Sequence, residues 1–222
     1  MEIKEIGVIK TDFKEKFGLP RQSGLVKSLK GEIRFFPPYN KEEAVRGLEG
    51  YDYIWVIWQF SKSKENGSIT VRPPRLGGNK RIGVFATRSP FRPNGLGLSC
   101  LKLDGIRYTE KGEPVIAVSG IDMADDTPVY DIKPYLASCD LKEGARGGFA
   151  EDFFDYKLQV NIPENVGLGI PEELLGEIKE ILAQDPRPSY QNDPERVYVF
   201  DYCGYKISFK VHDEVEVIGI VK

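Results

Sequence analysis

The sequence predicts a mainly β protein, in which an antiparallel sheet closes into a barrel or a sandwich, with a small C-terminal α+β appendage. Up to residue 142, short strand-like segments are separated by Gly, Pro and Asn, with almost no helical periodicity. Beyond a Gly-rich segment at residues 142–148, one amphipathic helix occurs among a few further strands. We therefore expect a barrel domain at residues 1–142, and a linker strand with the α+β unit at residues 143–222.

Alternating or short apolar segments bounded by turn residues define the strands of the first domain. Tyr53–Gln59 is rich in aromatic and β-branched residues and too short for a buried helix, so we expect a fully buried central strand there. Asn40 precedes Glu43 by three residues, which is an N-cap pattern and predicts a short helix from Lys41. The other predicted strands are Ile3–Lys10, Gly31–Phe36, Ser68–Arg72, Arg81–Ala86, Leu98–Tyr108, Pro114–Gly120 and Val129–Tyr135.

The appendage is predicted around one helix. Pro171 opens it, with Glu172 and Glu173 in the first turn, where carboxylates favour the helix dipole, and Asp185-Pro186 ends it. One helical face collects the apolar residues Leu174, Leu175, Ile178, Ile181 and Leu182. The strands expected around this helix are Phe154–Val160, Arg196–Phe200, Tyr205–His212 and Glu214–Val221.

Composition excludes several classes of protein. The longest apolar run, Tyr53–Trp58, is far shorter than the ~20 residues that cross a bilayer, and residues 1–20 lack a signal-peptide pattern. We therefore expect a cytoplasmic protein without membrane contact. The three cysteines are far apart and odd in number, which fits neither disulfides nor paired zinc ligands. The one histidine, His212, excludes a two-histidine metal centre, and we expect it to be a half-exposed strand residue.

Charge is unevenly distributed along the chain. Residues 66–103 hold seven basic side chains and no Asp or Glu, although the whole chain has 34 carboxylates. Residues 104–222 hold 12 basic and 24 acidic side chains. A long acid-free tract indicates an anionic partner, with contact confined to this cationic tract and a few residues of the appendage.

The cationic tract also contains the densest motif, because glycines and prolines at residues 71–81 and 83–97 surround several arginines. Stiffened glycine-containing loops with arginines suit a site for an anion or a planar base. Gly95-Leu-Gly97 offers two glycines of a dinucleotide fingerprint, but Cys100 stands at the third position and the segment leads into a strand. A nucleotide cofactor would therefore bind without a Rossmann layer.

Two further segments contain candidate site residues. Asp125 and Asp126 fit a turn, whereas Asp131, Lys133 and Tyr135 share one face of a strand, where a functional and a structural role stay equally open. Past the helix, Arg187 and Tyr190 lie in a proline-stiffened loop and could contact phosphate and stack on a base.

Taken in order, these motifs resemble the TsaA-like family of tRNA methyltransferase O. The resemblance spans nearly the whole chain, and Gly83-Val-Phe-Ala-Thr-Arg-Ser89 is among its most distinctive segments. The other matching segments are Glu5–Ile9, Lys14–Phe17, Pro20–Gln22, Val45–Glu49, Val71–Asn79, Phe91–Asn94, Asp131–Tyr135 and Gln184–Tyr190. The chain departs from the family pattern at Ser61 and Lys62, where many relatives have His-Gln, and at Gly95-Leu-Gly97, where relatives often have Pro-Ile-Gly.

The resemblance implies a single-sheeted β-barrel that binds S-adenosylmethionine as a homodimer and methylates the exocyclic nitrogen of threonylcarbamoyladenosine beside the tRNA anticodon. The cofactor-binding residues it implies are Arg21, Gln22, Ser61, Lys62, Arg88, Leu98, Gly120, Ile121 and Asp122. The expected tRNA contacts are Arg72, Arg75 and Arg92 of the cationic tract and Asp185, Pro186, Arg187, Pro188 and Tyr190 of the appendage.

Methyl transfer from a sulfonium needs neither a metal nor a histidine, so we expect no metal site. Asp122, Asp131 and Tyr135 are the candidates for a base that assists the poorly nucleophilic substrate nitrogen. We expect Arg88 or Arg21 to pair with the methionyl carboxylate of the cofactor. Two alternatives remain at this point: a non-catalytic nucleic-acid or nucleotide-binding module, and a hydrolase using Asp122 or Asp131, for which no nucleophile is evident.

Overall fold

The computed structural model describes residues 2–63, 67–73, 76, 80–153, 156–188 and 193–222. The strands in this part of the chain are β1 (Gly7–Thr11), β2 (Lys30–Phe35), β3 (Tyr53–Gln59), β4 (Thr70–Val71), β5 (Ile82–Gly83), β6 (Leu96–Tyr108), β7 (Pro114–Ser119), β8 (Thr127–Pro134), β9 (Val160–Asn161), β10 (Tyr198–Tyr202), β11 (Tyr205–Val211) and β12 (Val215–Val221). The α-helices are α1 (Glu42–Val45), α2 (Ala137–Asp140), α3 (Glu164–Gly167) and α4 (Glu172–Ala183). None of these described helices has the length and apolar character needed to span a bilayer.

Among the described residues, six strands close into a barrel in the order β1-β2-β7-β6-β3-β8, and β8 pairs back onto β1. All neighbouring pairs in this barrel are antiparallel. Alternate side chains of each strand point inward and fill the interior, among them the fully buried Ile9, Ile33, Ile54, Leu101 and Ile116. The predicted barrel is confirmed, and the sandwich alternative is wrong.

The bounds of β3 are as predicted, but the expectation that this strand is fully buried is wrong. Ile54, Val56 and Trp58 point into the barrel, whereas Tyr53 is exposed and Trp55 is only partly covered. A barrel is a single layer of sheet, so only one face of each strand reaches the core. Burial in the core therefore does not explain why the outer face of β3 is apolar.

Two other local predictions are corrected. The expected strands at residues 68–72 and 81–86 shrink to the two-residue strands β4 and β5, which pair only with each other, and a 3-10 helix follows at Val84–Ala86. Helix α1 begins one residue later than predicted, with Lys41 at its N-cap. Asn40 does not cap it, because its side-chain amide donates to Glu113 instead, at 2.7 Å.

The appendage is a four-stranded sheet in the order β10-β11-β12-β9, where β9 runs parallel to β12. The strand predicted at Phe154–Val160 is mostly wrong: residues 154–155 lie outside the described residues, and pairing begins only at Val160. Leu158 instead donates its N–H to the carbonyl of Ala183 at the end of α4. His212 is not in a strand but lies exposed in the turn between β11 and β12.

The predicted helix α4 is confirmed, and its apolar face belongs to the same hydrophobic core as the barrel. Aromatic rings of the loop between β1 and β2 pack against aromatic rings of the appendage, and we call this junction the aromatic seam. The ring centroids of Phe13 and Tyr202 lie 4.8 Å apart, and the ring of Phe17 stacks on the ring of Tyr198. Gly18, with φ of +91°, brings the backbone so close to Phe200 that a Cβ would lie 2.7 Å from that ring. The loop between β1 and β2 is therefore held between the barrel and the appendage.

Candidate active site

Three segments meet at one end of the barrel: the loop at residues 20–24, the turn around Arg88, and residues 120–122 after β7. Gly24 donates its N–H to the carbonyl of Gly120, and Gly120 donates to the carbonyl of Leu29, both at 2.8 Å. Gly120 has φ of +77°, and a Cβ there would lie 3.3 Å from the Cα of Gly24. This close approach therefore requires glycine at residue 120.

Asp122 is the titratable group at the centre of these segments. Its carboxylate accepts hydrogen bonds from the Ser99 hydroxyl at 2.7 Å and from the backbone N–H groups of Ser23 and Asp122 itself. Burial raises the pKa of Asp122 to about 6, while these donors and the nearby Arg88 guanidinium act in the opposite direction. A carboxyl group that titrates near neutrality at a loop cluster is typical of a functional site.

A buried hydrogen-bond chain behind Asp122 was not predicted from the sequence. The indole N–H of Trp58 donates to the hydroxyl of Ser99 at 2.9 Å, and Ser99 in turn donates to Asp122. The available signal was a serine at an inward position of an alternating strand, where a buried hydroxyl needs partners. The sequence placed Ser99 in the predicted strand Leu98–Tyr108, and no role was assigned to it.

A second network joins the site to the appendage. Arg88 donates to the side-chain oxygen of Gln22 at 2.6 Å, and the Gln22 amide donates to the carbonyl of Arg21 at 2.6 Å. Arg21 donates to the carbonyls of Asp185 and Arg187 at 3.0 and 3.2 Å. Arg21, Gln22 and Arg88 are thus brought together, and Arg21 reaches the loop after α4.

The loop after α4 is shaped by an internal ion pair. Arg187 binds both carboxylate oxygens of Asp185, at 2.8 and 3.0 Å, and both side chains are largely buried. The Asp185 contact raises the pKa of Arg187 further above its already high value. Asp185 has φ of +50°, so the chain turns sharply before Pro186 and Pro188. Tyr190 lies outside the described residues.

Leu98, Asp131 and Tyr135 lie on the outer face of the barrel rather than beside Asp122. Ile57 of β3 pairs with Leu98 of β6 on one side and with Asp131 of β8 on the other. Asp131 forms an ion pair with Lys133 at 3.0 Å, and Tyr135 packs 6.0 Å from the ring of Trp55. Of the three candidate bases, Asp122 therefore lies at the loop cluster, whereas Asp131 and Tyr135 lie on the outer face of the barrel.

Several of the remaining predicted residues lie at the surface. Lys62 is exposed and donates to the backbone carbonyl of Lys14, while Ser61 donates its N–H to the carbonyl of Gln59 at 2.7 Å. Arg92 donates to the carbonyl of Thr87 at 2.9 Å, and Arg72 is exposed. Ile121 is buried, so its side chain supports the loop from inside. Arg75 lies outside the described residues.

Comparison with known proteins decides the family. Residues 8–141 match the tRNA-methyltransferase O N-terminal domain, and residues 164–222 match the TrmO C-terminal domain. The chain belongs to the TrmO family. A tRNA (adenine(37)-N6)-methyltransferase from Escherichia coli is 40% identical over 222 residues, which cover 96% of this chain and 94% of that protein.

Two further relatives extend the TrmO comparison. The crystal structure of TrmO from Pseudomonas aeruginosa superimposes with a TM-score of 0.76 and 31% identity, covering 100% of this chain and 99% of that one. A Pyrococcus abyssi protein, named a probable S-adenosyl-L-methionine-binding protein, is 33% identical over 148 residues, which cover 67% of this chain and 75% of that protein.

Both TrmO domains contribute to the site in this chain. The N-terminal domain provides a half-buried carboxylate at Asp122 and the guanidinium of Arg88, whose charge acts on that carboxylate. The C-terminal domain provides the backbone carbonyls that hold Arg21. Opposite charges placed at one loop cluster can bind a zwitterionic ligand and orient it, and this TrmO site contains that pair.

Proposed function

We propose that this chain is an S-adenosylmethionine-dependent tRNA (adenine(37)-N6)-methyltransferase. The observation that supports this most strongly is the 40% identity to the Escherichia coli enzyme of that name over 96% of the chain, with matches to both TrmO domains. A passive binding module would not need a half-buried carboxylate with a raised pKa beside an arginine, and Asp122 and Arg88 provide that combination.

The residues at the loop cluster fit S-adenosylmethionine. This cofactor has a carboxylate and an ammonium on its methionyl part, and when bound it supplies a reactive methyl group on a sulfonium. Arg88 would pair with the methionyl carboxylate and Asp122 with the ammonium, because the charges are complementary. Gln22 orients the Arg88 guanidinium through their 2.6 Å hydrogen bond.

We propose that the substrate is the N6 nitrogen of threonylcarbamoyladenosine, and that the chain acts mainly by positioning. Holding two reactants in line can lower a barrier by ~7–11 kcal/mol. Of the three candidate bases, Asp122 is assigned to the cofactor's ammonium, and a carboxylate held in that ion pair is not free to act as the base. Asp131 is already paired with Lys133 on the outer face.

For tRNA binding, we propose a division of labour between the two parts of the chain. Residues 1–142 would hold the methyl donor, and residues 143–222 would engage tRNA through the loop at residues 185–190. The cationic tract adds Arg72, Arg75 and Arg92, and within the tract Phe85 exposes 80% of its surface, which suits stacking on a base.

We also propose that the protein acts in the cytoplasm as a homodimer, built on the outer face of β3, β6 and β8. This face is unusually apolar for a surface: Tyr53 is 45% exposed and Leu98 55% exposed. Leu136 and Leu141, at the two ends of α2, are also exposed. The L98D substitution is expected to convert the dimer into a monomer, as measured by sedimentation. An unchanged dimer would reject this face as the interface.

One incubation tests the function. Purified protein is mixed with methyl-labelled S-adenosylmethionine and tRNA that either carries or lacks the threonylcarbamoyl group, and the nucleosides are then separated. We expect label in N6-methylated threonylcarbamoyladenosine, and none when an R88A variant is used. Binding of tRNA without any methyl transfer would favour the non-catalytic alternative, and label in another nucleoside would reject the assigned substrate.

A further inference from the structure

The direction of the hydrogen bonds between Trp58, Ser99 and Asp122 is fixed by chemistry. An indole nitrogen is only a donor, so the 2.9 Å contact from Trp58 must end on the oxygen of Ser99. An ionised carboxylate can only accept, so Ser99 donates its single hydroxyl proton to Oδ1 of ionised Asp122, 2.7 Å away.

The hydrogen-bond chain from Trp58 through Ser99 to Asp122 is also rigid. Ser99 is 1% exposed and Trp58 is 5% exposed, so water does not compete for these groups. The Trp58 ring packs against Phe60 at 4.4 Å between centroids and lies directly against the backbone of Gly97. Because the indole has no room to turn, Ser99 keeps its hydroxyl directed at the carboxylate.

We propose that Ser99 and Trp58 are positioning residues, which keep the carboxylate of Asp122 a hydrogen-bond acceptor, oriented for the positively charged methionyl amine of the cofactor. This inference rests on the proposed function, since it assigns Asp122 to that amine. Neither Ser99 nor Trp58 would touch the cofactor; both act through Asp122.

The groups around Asp122 support this role. The backbone N–H groups of Ser23 and Asp122, the Ser99 hydroxyl and the charge of Arg88 all favour the ionised carboxylate, and they offset part of the cost of burial. Removing the Ser99 hydroxyl leaves the burial in place and takes away one donor. The protonation midpoint of Asp122 should then rise above its value of about 6.

The first test needs neither cofactor nor tRNA. The chain has two tryptophans, and in protein with 15N-labelled tryptophan each gives one indole N–H signal. We expect the Trp58 signal to shift with a midpoint near pH 6, because ionisation of Asp122 polarises Ser99 and hence the indole N–H bond. This shift should disappear in D122N and in S99A.

Trp55 is an internal control. Its indole donates to Asp140 at 2.9 Å, and hydrogen bonds from Leu136 and Trp55 hold the pKa of Asp140 below its usual range. The Trp55 signal, assigned with a W55F variant, should therefore stay constant between pH 5 and pH 8. An H212Q background removes the single histidine of the chain from the measurement. A Trp58 signal that is constant over this range, or that still titrates in D122N, would overturn the inference.

The second test measures cofactor affinity by calorimetry. If ionised Asp122 binds the amine, S99A should weaken binding about fivefold at pH 6, for a midpoint raised by about one unit, and should leave the affinity almost unchanged at pH 8. S99T keeps a hydroxyl and should restore the wild-type profile. W58F should shift the profile in the same direction as S99A but by less.

The outcomes separate the inference from the proposed function. An equal loss of affinity at both pH values would mean a merely structural defect and would overturn the positioning role. Wild-type protein that binds no S-adenosylmethionine at all would reject the proposed function, whereas the indole titration would still report on the hydrogen-bond chain.

Discussion

The backbone of Gly97 packs flat against the indole ring of Trp58. A Cβ at residue 97 would lie within 2.7 Å of three ring atoms, a separation that real contacts do not show. We therefore expect G97A to displace Trp58 and to lower the free energy of unfolding by about 1–3 kcal/mol, as in other overpacked cores. Urea unfolding followed by tryptophan fluorescence measures this.

The matched control is G83A. Gly83 is exposed on β5, has φ of −56°, and no atom lies within 4 Å of a Cβ there. This variant should stay within about 0.5 kcal/mol of wild type. If both variants unfold alike, the contact with Trp58 has no energetic significance.

Asp122 should make the fold less stable as the pH rises from about 4 to about 6. Its pKa in the folded protein is about 6, above its value of 3.8 in the unfolded chain, so the folded state keeps a proton that the unfolded state has lost. The resulting loss in the free energy of unfolding is about 3 kcal/mol above pH 6, and it is absent below pH 4. In D122N this decrease should vanish, as measured by urea unfolding at pH 4 and pH 7.

D213N serves as the comparison for this pH effect, because Asp213 lies exposed in the turn after β11. Its pH dependence should match that of wild type. A D122N protein with the wild-type pH dependence would mean that Asp122 does not contribute to it.

The pair between Asp185 and Arg187 should matter for stability, because both side chains are largely buried and the contact is bidentate. D185N leaves the guanidinium without its counter-charge, and we expect a loss of about 2 kcal/mol in the free energy of unfolding. E173Q breaks the exposed pair with Lys30, 3.8 Å apart, and should change stability by less than about 0.5 kcal/mol. Equal effects of the two variants in thermal unfolding would contradict the structural role of the buried pair.

Arg88 should determine cofactor affinity. S-adenosylmethionine is expected to raise the melting temperature of wild-type protein, because a ligand that binds only the folded state stabilises it. R88A removes the proposed partner of the methionyl carboxylate, so this rise should be lost, and calorimetry should show weaker binding. R34A, an exposed arginine of β2, should behave like wild type. Unchanged affinity in R88A would exclude Arg88 from this role.

Binding of tRNA should weaken steeply with salt, since each phosphate neutralised by Lys or Arg releases counterions. R72A should lower the slope of log affinity against log salt by about one. K111A changes an exposed lysine outside the cationic tract and should leave the slope unchanged. A wild-type affinity that is flat between low and physiological salt would reject the proposed role of the tract.

Much of the fold could be predicted because periodicity reports burial directly. The apolar residues of α4 recur as its burial does, and β3 lies where its run of aromatic and β-branched residues indicates, although that run did not show the exposed face of the strand. The predictions failed where a hydrogen-bond partner comes from far along the chain. Leu158 bonds to Ala183 and not to a neighbouring strand, and Asn40 bonds to Glu113 and not to its own helix.

The site was only partly predictable. The glycine- and arginine-containing loops indicate an anion site, and the structure does join Arg88 to Gln22. What the sequence could not show is which carboxylate faces that arginine, because Asp122 and Asp131 both follow or lie in strands, but only Asp122 lies at the loop cluster. The role of Ser99 depends on the pairing register of β3 and β6, which no local pattern specifies.

The aromatic seam at Phe13 and Phe17 has a bearing on how this protein could be dissected. Although its halves are recognisable as separate sequence modules, these rings are covered only when both halves are present. A fragment that ends before the appendage would expose this apolar surface, which chaperones and other fragments could then bind. In a chimaera between two relatives, the loop at residues 12–18 would therefore have to be exchanged together with the C-terminal half.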